Sequence, residues 1–135
     1  MIVADANLLA YLVMPGQRTD EAEAVLSKDS VWVVPVLWRS ELMSVLHQYV
    51  RRTDLTVAQA VAALQRAEAV IAGREGEVDA RVVFELASRS KCSTYACEYV
   101  ALATGLGVPL VTADGEVLRA FPKVAVDPQG FLDDK

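Results

Sequence analysis

Short apolar runs alternate along the chain with longer stretches in which apolar residues recur at helical spacing. The short runs predict β-strands, because most of them are too short for a helix and several are rich in valine. The predicted strands are residues 1–4, 31–34, a weak strand near 77–78, 109–112 and 123–126. This alternation of strands and helices is typical of successive β-α-β units.

The longer stretches predict amphipathic helices. The clearest has apolar residues at helical spacing from Val57 to Ile71, with Thr56 before it as a candidate N-cap. Further helices are predicted for residues 7–13, 20–27, 38–49, 82–87, 95 to 105 or 107, and 116–120. Strands separated by helices favour a mostly parallel sheet covered on both faces, since a parallel return needs a crossover of about a dozen residues.

Composition narrows the class of protein. A chain of 135 residues is expected to form a single domain, residues 1–135. A composition of 53% hydrophobic and 23% charged residues excludes disordered and collagen-like proteins. The apolar runs end well before about 18 residues, and no basic residue precedes the first of them, so we expect neither a transmembrane span nor a signal peptide. These features predict a soluble cytoplasmic protein.

Charge and cysteine content exclude two simple modes of binding. With a net charge of −5 the protein as a whole does not attract a polyanion, so any nucleic-acid surface must be local or shared with a partner. The candidate basic residues are Arg51, Arg52, Arg81, Arg89 and Lys91, each of which ordinary solvated helix surface also explains. Cys92 and Cys97 lack the companion ligands of a zinc site and are expected to be buried free thiols.

Two aspartates follow predicted strands. Asp5 comes directly after Ile2–Ala4, and Asp114 comes closely after Leu110–Val111. Both are therefore expected near the carboxyl ends of parallel strands, where open α/β sheets bind their ligands. Each is explained about as well as a helix N-cap, so neither alone establishes a functional site.

Glu41 favours a functional site over simple helix capping, because it lies inside an apolar stripe that runs from Trp38 to Tyr49. Its carboxylate should face the interior, where an unpaired charge is costly and must meet a cation, a hydrogen-bond partner or a metal. The candidate cationic partners are Arg39, Arg51 and Arg52. They lie on the same or neighbouring turns and most point elsewhere, so we favour a metal.

Three carboxylates from separate segments, without a His or Cys ligand nearby, suit Mg²⁺ or Mn²⁺ rather than Zn²⁺. Such a metal activates water and neutralises charge on a phosphodiester during in-line displacement. The sequence Asp5-Ala6-Asn7 lacks the second aspartate of a DxD phosphatase motif, and no acidic pair follows the first strand as in a receiver domain. No glycine-rich nucleotide loop occurs, and the lone His47 is assigned no role.

Four segments together resemble the PIN domain family, in its VapC-like branch of toxins from type II toxin-antitoxin systems. They are VADANLLAYL at the start, PVLWRSELMSVL around Glu41, CSTYACEYVALATGLGVPLVTAD in the second half, and a closing strand followed by PQGFL. The first two segments are individually weak, whereas the long third segment in this order is specific. The resemblance covers nearly the whole chain.

The resemblance implies a three-layer α/β/α sandwich on a mostly parallel sheet of four or five strands. It also implies a Mg²⁺- or Mn²⁺-dependent endoribonuclease that acts on RNA, forms a homodimer and is inhibited by a small antitoxin protein. Asp5, Glu41 and Asp114 match the family's metal-binding and catalytic acids. Asn7 and Thr112 match polar positions that support these acids through hydrogen bonds.

One departure from the family pattern concerns Ala96. The family segment reads like SxYDxxYVALA, so Ala96 stands where an acidic metal ligand is expected. Glu98 is a poor replacement, because two residues along a helix turn the side chain by about 200°. Metal is then expected to be weakly held or absent, and hydrolysis to be slow or undetectable.

Three explanations for Ala96 remain open: a substitution that disarms a toxic enzyme, a natural pseudo-nuclease, and a ligand supplied from elsewhere. The unaltered surroundings of Ala96 favour the first. The competing functions are accordingly a toxin-type endoribonuclease, a catalytically inactive PIN protein that acts only through partner binding, and a related module with another phosphate chemistry. For the antitoxin, the resemblance implies a groove between the helix of Glu41 and the helix after Thr56, and an antitoxin Arg or Lys at the acidic site would inhibit it.

Overall fold

A five-stranded sheet organises the protein. The computed structural model describes residues 1–134, and its strands are β1 (Ile2–Ala4), β2 (Trp32–Pro35), β3 (Glu75–Gly76), β4 (Leu110–Val111) and β5 (Ala125–Val126). Their order in the sheet is β3-β2-β1-β4-β5, and every neighbouring pair is parallel. The parallel sheet is confirmed, and the weak third strand lies slightly earlier in the chain than the residues predicted for it.

Eight helices connect or follow these strands within residues 1–134. They are α1 (Ala6–Val13), α2 (Thr19–Lys28), α3 (Trp38–Arg52), α4 (Val57–Ile71), α5 (Ala80–Ser88), α6 (Thr94–Leu106), α7 (Gly115–Ala120) and α8 (Pro128–Asp133). The Thr56 hydroxyl caps α4 by accepting a hydrogen bond from the Gln59 N–H. The Gln59 side-chain oxygen accepts one from the Thr56 N–H, which completes a capping box. Gly107 ends α6 in a left-handed conformation that favours glycine.

The prediction missed α8. Its signal is present in the sequence, because Asp127 caps the helix by accepting a hydrogen bond from the Gly130 N–H and Pro128 occupies the first turn. The helix is only six residues long and has no apolar repeat, so periodicity alone does not reveal it.

The helices cover both faces of the sheet, which confirms the three-layer α/β/α arrangement. Ile2 and Ala4 point into one core with residues of α1, α2, α3 and α4, and α8 packs against this core. Val3 points into the other core with α5, α6 and α7. The alternation along β1 places every one of its side chains in a core, as expected for a central strand of a parallel sheet.

The strand order places a switch point between β1 and β4. The chain proceeds outward from β1 to β2 and β3, and then returns to the other side of β1 to form β4 and β5. Loops that leave β1 and β4 therefore diverge at the carboxyl edge, which is the position where such sheets bind ligands. Asp5 follows β1 and Thr112 follows β4 at this edge.

Two further expectations are addressed by the described residues. No helix within residues 1–134 is both long and apolar enough to cross a membrane. Cys92 and Cys97 are both free and buried, which confirms the expectation for the thiols.

Candidate functional site

Asp5 and Thr112 join the ends of β1 and β4. The carboxylate of Asp5 accepts a hydrogen bond from the Ala6 N–H at Oδ1 (2.7 Å), which caps α1, and another from the Thr112 hydroxyl at Oδ2 (2.6 Å). Thr112 is fully buried. The carboxylate of Asp5 is thus held from two sides.

Asn7 and the backbone around Asp114 extend this network. The Asn7 amide nitrogen lies 3.3 Å from Thr112 Oγ1 and 3.5 Å from Asp5 Oδ2, and its oxygen accepts from the Ala113 N–H (3.2 Å). Thr112 Oγ1 also accepts from the Asp114 N–H (3.0 Å). The structure therefore brings Asn7 and Thr112 into direct contact with Asp5 or with the loop of Asp114.

Asp114 caps α7 through a single oxygen. Its Oδ1 accepts from the N–H groups of Glu116 (2.9 Å) and Val117 (3.3 Å). Asp5 and Asp114 are therefore both helix N-caps, as the sequence allowed. Capping involves one oxygen of each carboxylate, so the second oxygen remains available for other contacts. In each case the cap uses Oδ1, which leaves Oδ2 of Asp114 without a hydrogen bond within residues 1–134.

Mutual repulsion links the three candidate acids. The pKa of Asp5 is raised from its ordinary value of 3.8 to about 6. Burial is the main cause, the hydrogen bonds from Thr112 and Ala6 oppose the rise, and the negative charges of Glu41 and Asp114 add to it. The carboxylates of Glu41 and Asp114 thus lie within electrostatic reach of Asp5. A cation at this position would relieve their repulsion.

Glu41 lies in the first turn of α3, and one of its oxygens is buried without a partner. Glu41 Oε1 has no hydrogen bond, and none of the ion pairs among residues 1–134 includes Glu41. Arg39, an alternative partner by sequence, instead approaches Glu68 at 3.5 Å. An unpartnered carboxylate oxygen of this kind is the expected state of a ligand whose cation is not part of the chain.

Tyr99 on α6 lies close to Glu41, and the sequence patterns did not single it out as a site residue. Its hydroxyl is buried and also lacks a hydrogen-bond partner. Burial raises the pKa of Tyr99 strongly, and the neighbouring Glu41 raises it further, although the two groups do not complete a hydrogen bond of normal geometry. The available signal was its spacing, since Tyr99 lies three residues after Ala96 on the same face of α6.

Ala96 and Glu98 lie near the start of α6. A helix that leads into a parallel strand runs antiparallel to it, so α6 begins at the carboxyl edge of the sheet and places Ala96 on the side of Glu41 and Tyr99. Glu98 is half-buried, and burial together with the charge of Glu41 raises its pKa. The rotation along the helix therefore does not remove Glu98 from the electrostatic surroundings of Glu41.

The donor groups suit an oxygen-preferring cation in kind but do not form a closed cage. Asp5, Glu41 and Asp114 present carboxylate oxygens, and Glu41 Oε1 is orphaned. Within residues 1–134, however, no three His, Cys, Asp or Glu side chains converge closely enough to hold a metal ion. Ala96 on α6 carries only a methyl group and so has no ligand atom in its side chain.

Known proteins resemble this chain along most of its length. The family model for the PIN domain matches residues 2–125. The chain is 28% identical over 124 residues to ribonuclease VapC3 of Pyrobaculum aerophilum, covering 90% of this chain and 95% of that protein.

Solved structures share the fold at low sequence identity. The crystal structure of FitAcB from Neisseria gonorrhoeae has a TM-score of 0.73 at 17% identity and covers 96% of this chain and 99% of that one. A toxin-antitoxin complex from Klebsiella pneumoniae has a TM-score of 0.70 at 18% identity, with coverage of 95% and 98%.

Proposed function

The chain belongs to the PIN domain family, and on that premise we propose that it is the toxin component of a toxin-antitoxin system with the site of a metal-dependent endoribonuclease. The ribonuclease name of the Pyrobaculum relative and the toxin-antitoxin complex among the structural neighbours support this proposal. The substrate class is RNA. This particular chain is impaired, because Ala96 replaces an acidic ligand.

One observation carries the proposal. A hydrogen-bonded network of Asp5, Asn7 and Thr112 lies at the switch point of the sheet, and the buried, unpartnered Glu41 Oε1 lies within electrostatic reach of it. An acidic cluster without a protein cation is destabilised in the absence of a ligand, so selection for stability alone does not explain it.

Asp5, Glu41 and Asp114 are the residues that would hold Mg²⁺ or Mn²⁺, and since these side chains do not converge into a closed site in the metal-free chain, they would have to move together to do so. When bound, such a cation supplies an activated water and offsets the negative charge that develops on the phosphodiester. Thr112 and Asn7 orient the Asp5 carboxylate, and the α7 cap fixes the loop of Asp114. Because the pKa of Asp5 is about 6 in the metal-free chain, Asp5 must lose its proton before it can act as a ligand, and metal affinity should fall as the pH drops below about 6.

The test compares this chain with its Ala96→Asp variant on a mixed RNA substrate, with Mg²⁺, with Mn²⁺ and with a chelator. We expect the Ala96→Asp variant to cleave the RNA only when metal is present. Its cleavage rate should then exceed that of the unaltered chain by at least about a hundredfold. Equal cleavage by both proteins would show that Ala96 is not a lost ligand. Cleavage by neither protein would favour the alternative, an inactive PIN protein that works only through partner binding. Preferential cleavage of DNA of the same sequence would favour a related module with another phosphate chemistry.

We propose that the antitoxin binds the groove between α3 and α4. A cavity of about 210 Å³ opens there, lined mainly by apolar side chains that include Met43, Leu46, Val57 and Val61. Met43, Val57 and Val61 are exposed, and such a groove fits the apolar face of a helix. Replacing Val61 by Asp should release the antitoxin in a co-purification assay, whereas the same change at exposed Ala58 should not.

A homodimer is the remaining part of the proposal, and no surface of the chain is assigned to it. Sedimentation equilibrium of the chain without its antitoxin tests it, and a monomer at micromolar concentration contradicts it.

A further inference from the structure

A second cavity, of about 420 Å³, opens between α1 and α3 beside the carboxylates. Asn7 lines one end of it, and this same side chain contacts Asp5 and Thr112. Asn7 therefore belongs both to the wall of the cavity and to the hydrogen-bonded network of the candidate site. The volume of the cavity falls within the range of small-molecule pockets.

The lining of this cavity is aromatic, polar and cationic. It includes the half-buried Tyr11 and Tyr49, the exposed Gln48 and the exposed Arg52. None of its lining residues is acidic, although the chain has 18 Asp and Glu residues. Arg52 takes part in none of the ion pairs within residues 1–134, so its charge is available to a ligand.

The two flanks of α3 differ in chemistry. Residues 45, 48, 49 and 52 recur at helical spacing and face the cavity beside α1, whereas 43, 46, 47 and 50 face the apolar groove beside α4. A protein helix suits the apolar flank. The flank with a tyrosine, a glutamine and an arginine outside the ion pairs of residues 1–134 suits a ligand that has flat rings, hydrogen-bonding edges and negative charge.

Another basic cavity, lined by Arg89 and Lys123, does not compete for this role. It includes Val124, which directly precedes β5, so it lies at the amino edge of the parallel sheet. The carboxylates lie at the opposite edge. The combination of positive charge, aromatic rings and contact with the candidate site thus belongs to the cavity between α1 and α3.

We propose that this cavity binds an unpaired base of the RNA substrate, in a nucleotide close to the cleaved phosphodiester. This inference rests on the proposed function and adds a subsite to it. The base stacks against Tyr49, the Gln48 amide hydrogen-bonds its edge, and Arg52 contacts a neighbouring phosphate. The Tyr11 ring is already covered by the Arg18 guanidinium at 4.6 Å and forms the wall of the cavity. The base must be unpaired, because a base within a duplex exposes neither face to an aromatic side chain.

The length of α3 sets the position of this nucleotide. From Glu41 to Tyr49 the helix rises by about 12 Å, and from Glu41 to Arg52 by about 16 Å. These distances exceed the size of the metal site itself. The subsite therefore binds a nucleotide beside the cleaved linkage. It favours substrates that are single-stranded there and takes no part in the cleavage step itself.

The test measures binding rather than cleavage, so it does not depend on Ala96. The probe is a fluorescein-labelled single-stranded RNA of mixed sequence, with chelator present, and its affinity is measured by anisotropy. Arg52→Ala and Tyr49→Leu should each weaken binding by about fivefold or more, and Arg52→Ala should lower the salt slope by about one. The matched control is Arg51→Ala, which removes the same charge from the same helix outside the cavity and should change affinity by about twofold or less.

A second probe separates stacking from charge. An abasic strand of the same length and charge should bind the unaltered chain more weakly than the RNA does, and Tyr49→Leu should remove that difference. If the abasic strand binds as tightly as the RNA, or if Arg51→Ala and Arg52→Ala weaken binding equally, the subsite is wrong. If Tyr49→Leu fails to fold, Arg52→Ala and Gln48→Ala still decide the question, because both of these positions are exposed.

The remaining outcomes also overturn the subsite. One is an unaltered chain that binds no RNA. Another is that the variants keep RNA affinity but lose the co-purifying antitoxin, which would make the cavity a protein-binding surface. Failure of the subsite differs from failure of the proposed function, because Ala96→Asp would still cleave RNA with metal when only the subsite is wrong.

Discussion

The two halves of the carboxylate site differ in how their polar atoms are satisfied. On the side of β1 and β4, Asp5 and Thr112 are bound to each other and Asn7 bonds to the loop that follows β4. On the side of α3 and α6, Glu41 Oε1 and the Tyr99 hydroxyl are buried without partners. Within residues 1–134 the first half is therefore satisfied by hydrogen bonds, whereas two polar atoms of the second half are not.

The difference follows from the topology. β1 and β4 are adjacent strands, so their carboxyl ends meet and the caps of α1 and α7 fix Asp5 and Asp114 locally. In contrast, α3 and α6 cover opposite faces of the sheet and approach each other only at its edge. Ala96, at the start of α6, has no polar side-chain atom to offer Glu41 or the Tyr99 hydroxyl.

The largest expected effect concerns Glu41 in the half that lacks partners. In an Ala96→Asp background, Glu41→Gln should reduce RNA cleavage by at least about a hundredfold, because it removes the charge of a proposed metal ligand while keeping the shape of the side chain. A metal-dependent cleavage assay measures the effect.

Glu85→Gln is the matched control for this substitution. It makes the same exchange on the exposed surface of α5, where Glu85 meets only Arg81, and should leave cleavage unchanged within about twofold. Retained cleavage in Glu41→Gln would refute the metal assignment and leave the unpaired oxygen without an explanation.

Thr112 tests the completed half. Thr112→Val keeps the shape but leaves Asp5 Oδ2 without its closest donor and the Asp114 N–H without its acceptor, at a fully buried position. We expect a loss of about 3 kcal/mol in the free energy of unfolding, measured with urea. Thr112→Ser should recover most of it.

The control for Thr112 is Thr104→Val. The exposed Thr104 hydroxyl bonds only to the Val100 carbonyl within its own helix, so its removal should change stability by about 0.5 kcal/mol or less. Equal losses at both positions would mean that the network of Thr112 contributes no more than an ordinary helix hydroxyl.

Sequence patterns reveal the completed half of the site better than the other half. Asp5 follows an apolar strand directly and Asp114 follows one closely, so their positions at the sheet edge could be predicted from local patterns. Tyr99 was not identified, because a tyrosine on an apolar helix face is indistinguishable in sequence from an ordinary core residue until the helices α3 and α6 are placed.

The fold shows the same limit. The order of strands and helices was predictable, but β3 is only Glu75–Gly76 and has no apolar signal. It is a strand because it pairs with Val34 and Pro35 of β2, and Gly76 leaves room for Leu102, whose Cδ1 would lie 2.5 Å from a Cβ. Contacts distant in sequence define both this strand and the cavity between α1 and α3.

The raised pKa of Asp5 predicts the pH dependence of stability. Between about pH 4 and pH 6 the folded, metal-free chain keeps a proton on Asp5 that the unfolded chain releases, so stability falls as pH rises through this range. The expected loss is about 2 to 3 kcal/mol, and Asp5→Asn should abolish it.

Urea unfolding with chelator, at several pH values, measures this loss. Asp79→Asn makes the same exchange at an N-cap outside the carboxylate site and serves as the control. If the Asp5→Asn chain and the unaltered chain have the same pH dependence, repulsion and burial do not act on Asp5 as described.

The smallest expected effect tests whether the Tyr99 hydroxyl truly lacks a partner. Tyr99→Phe removes a buried hydroxyl that forms no hydrogen bond, so the metal-free chain should gain about 1 kcal/mol in the free energy of unfolding. Tyr95→Phe is the control on the same helix, since Tyr95 is 62% exposed and its hydroxyl meets solvent. In the Ala96→Asp background the gain from Tyr99→Phe should shrink, because a carboxylate three residues earlier on the same helix face offers the hydroxyl an acceptor. A loss of stability in the unaltered chain would instead mean that Tyr99 already bonds Glu41, and the two halves of the site would then be equally complete without a cation.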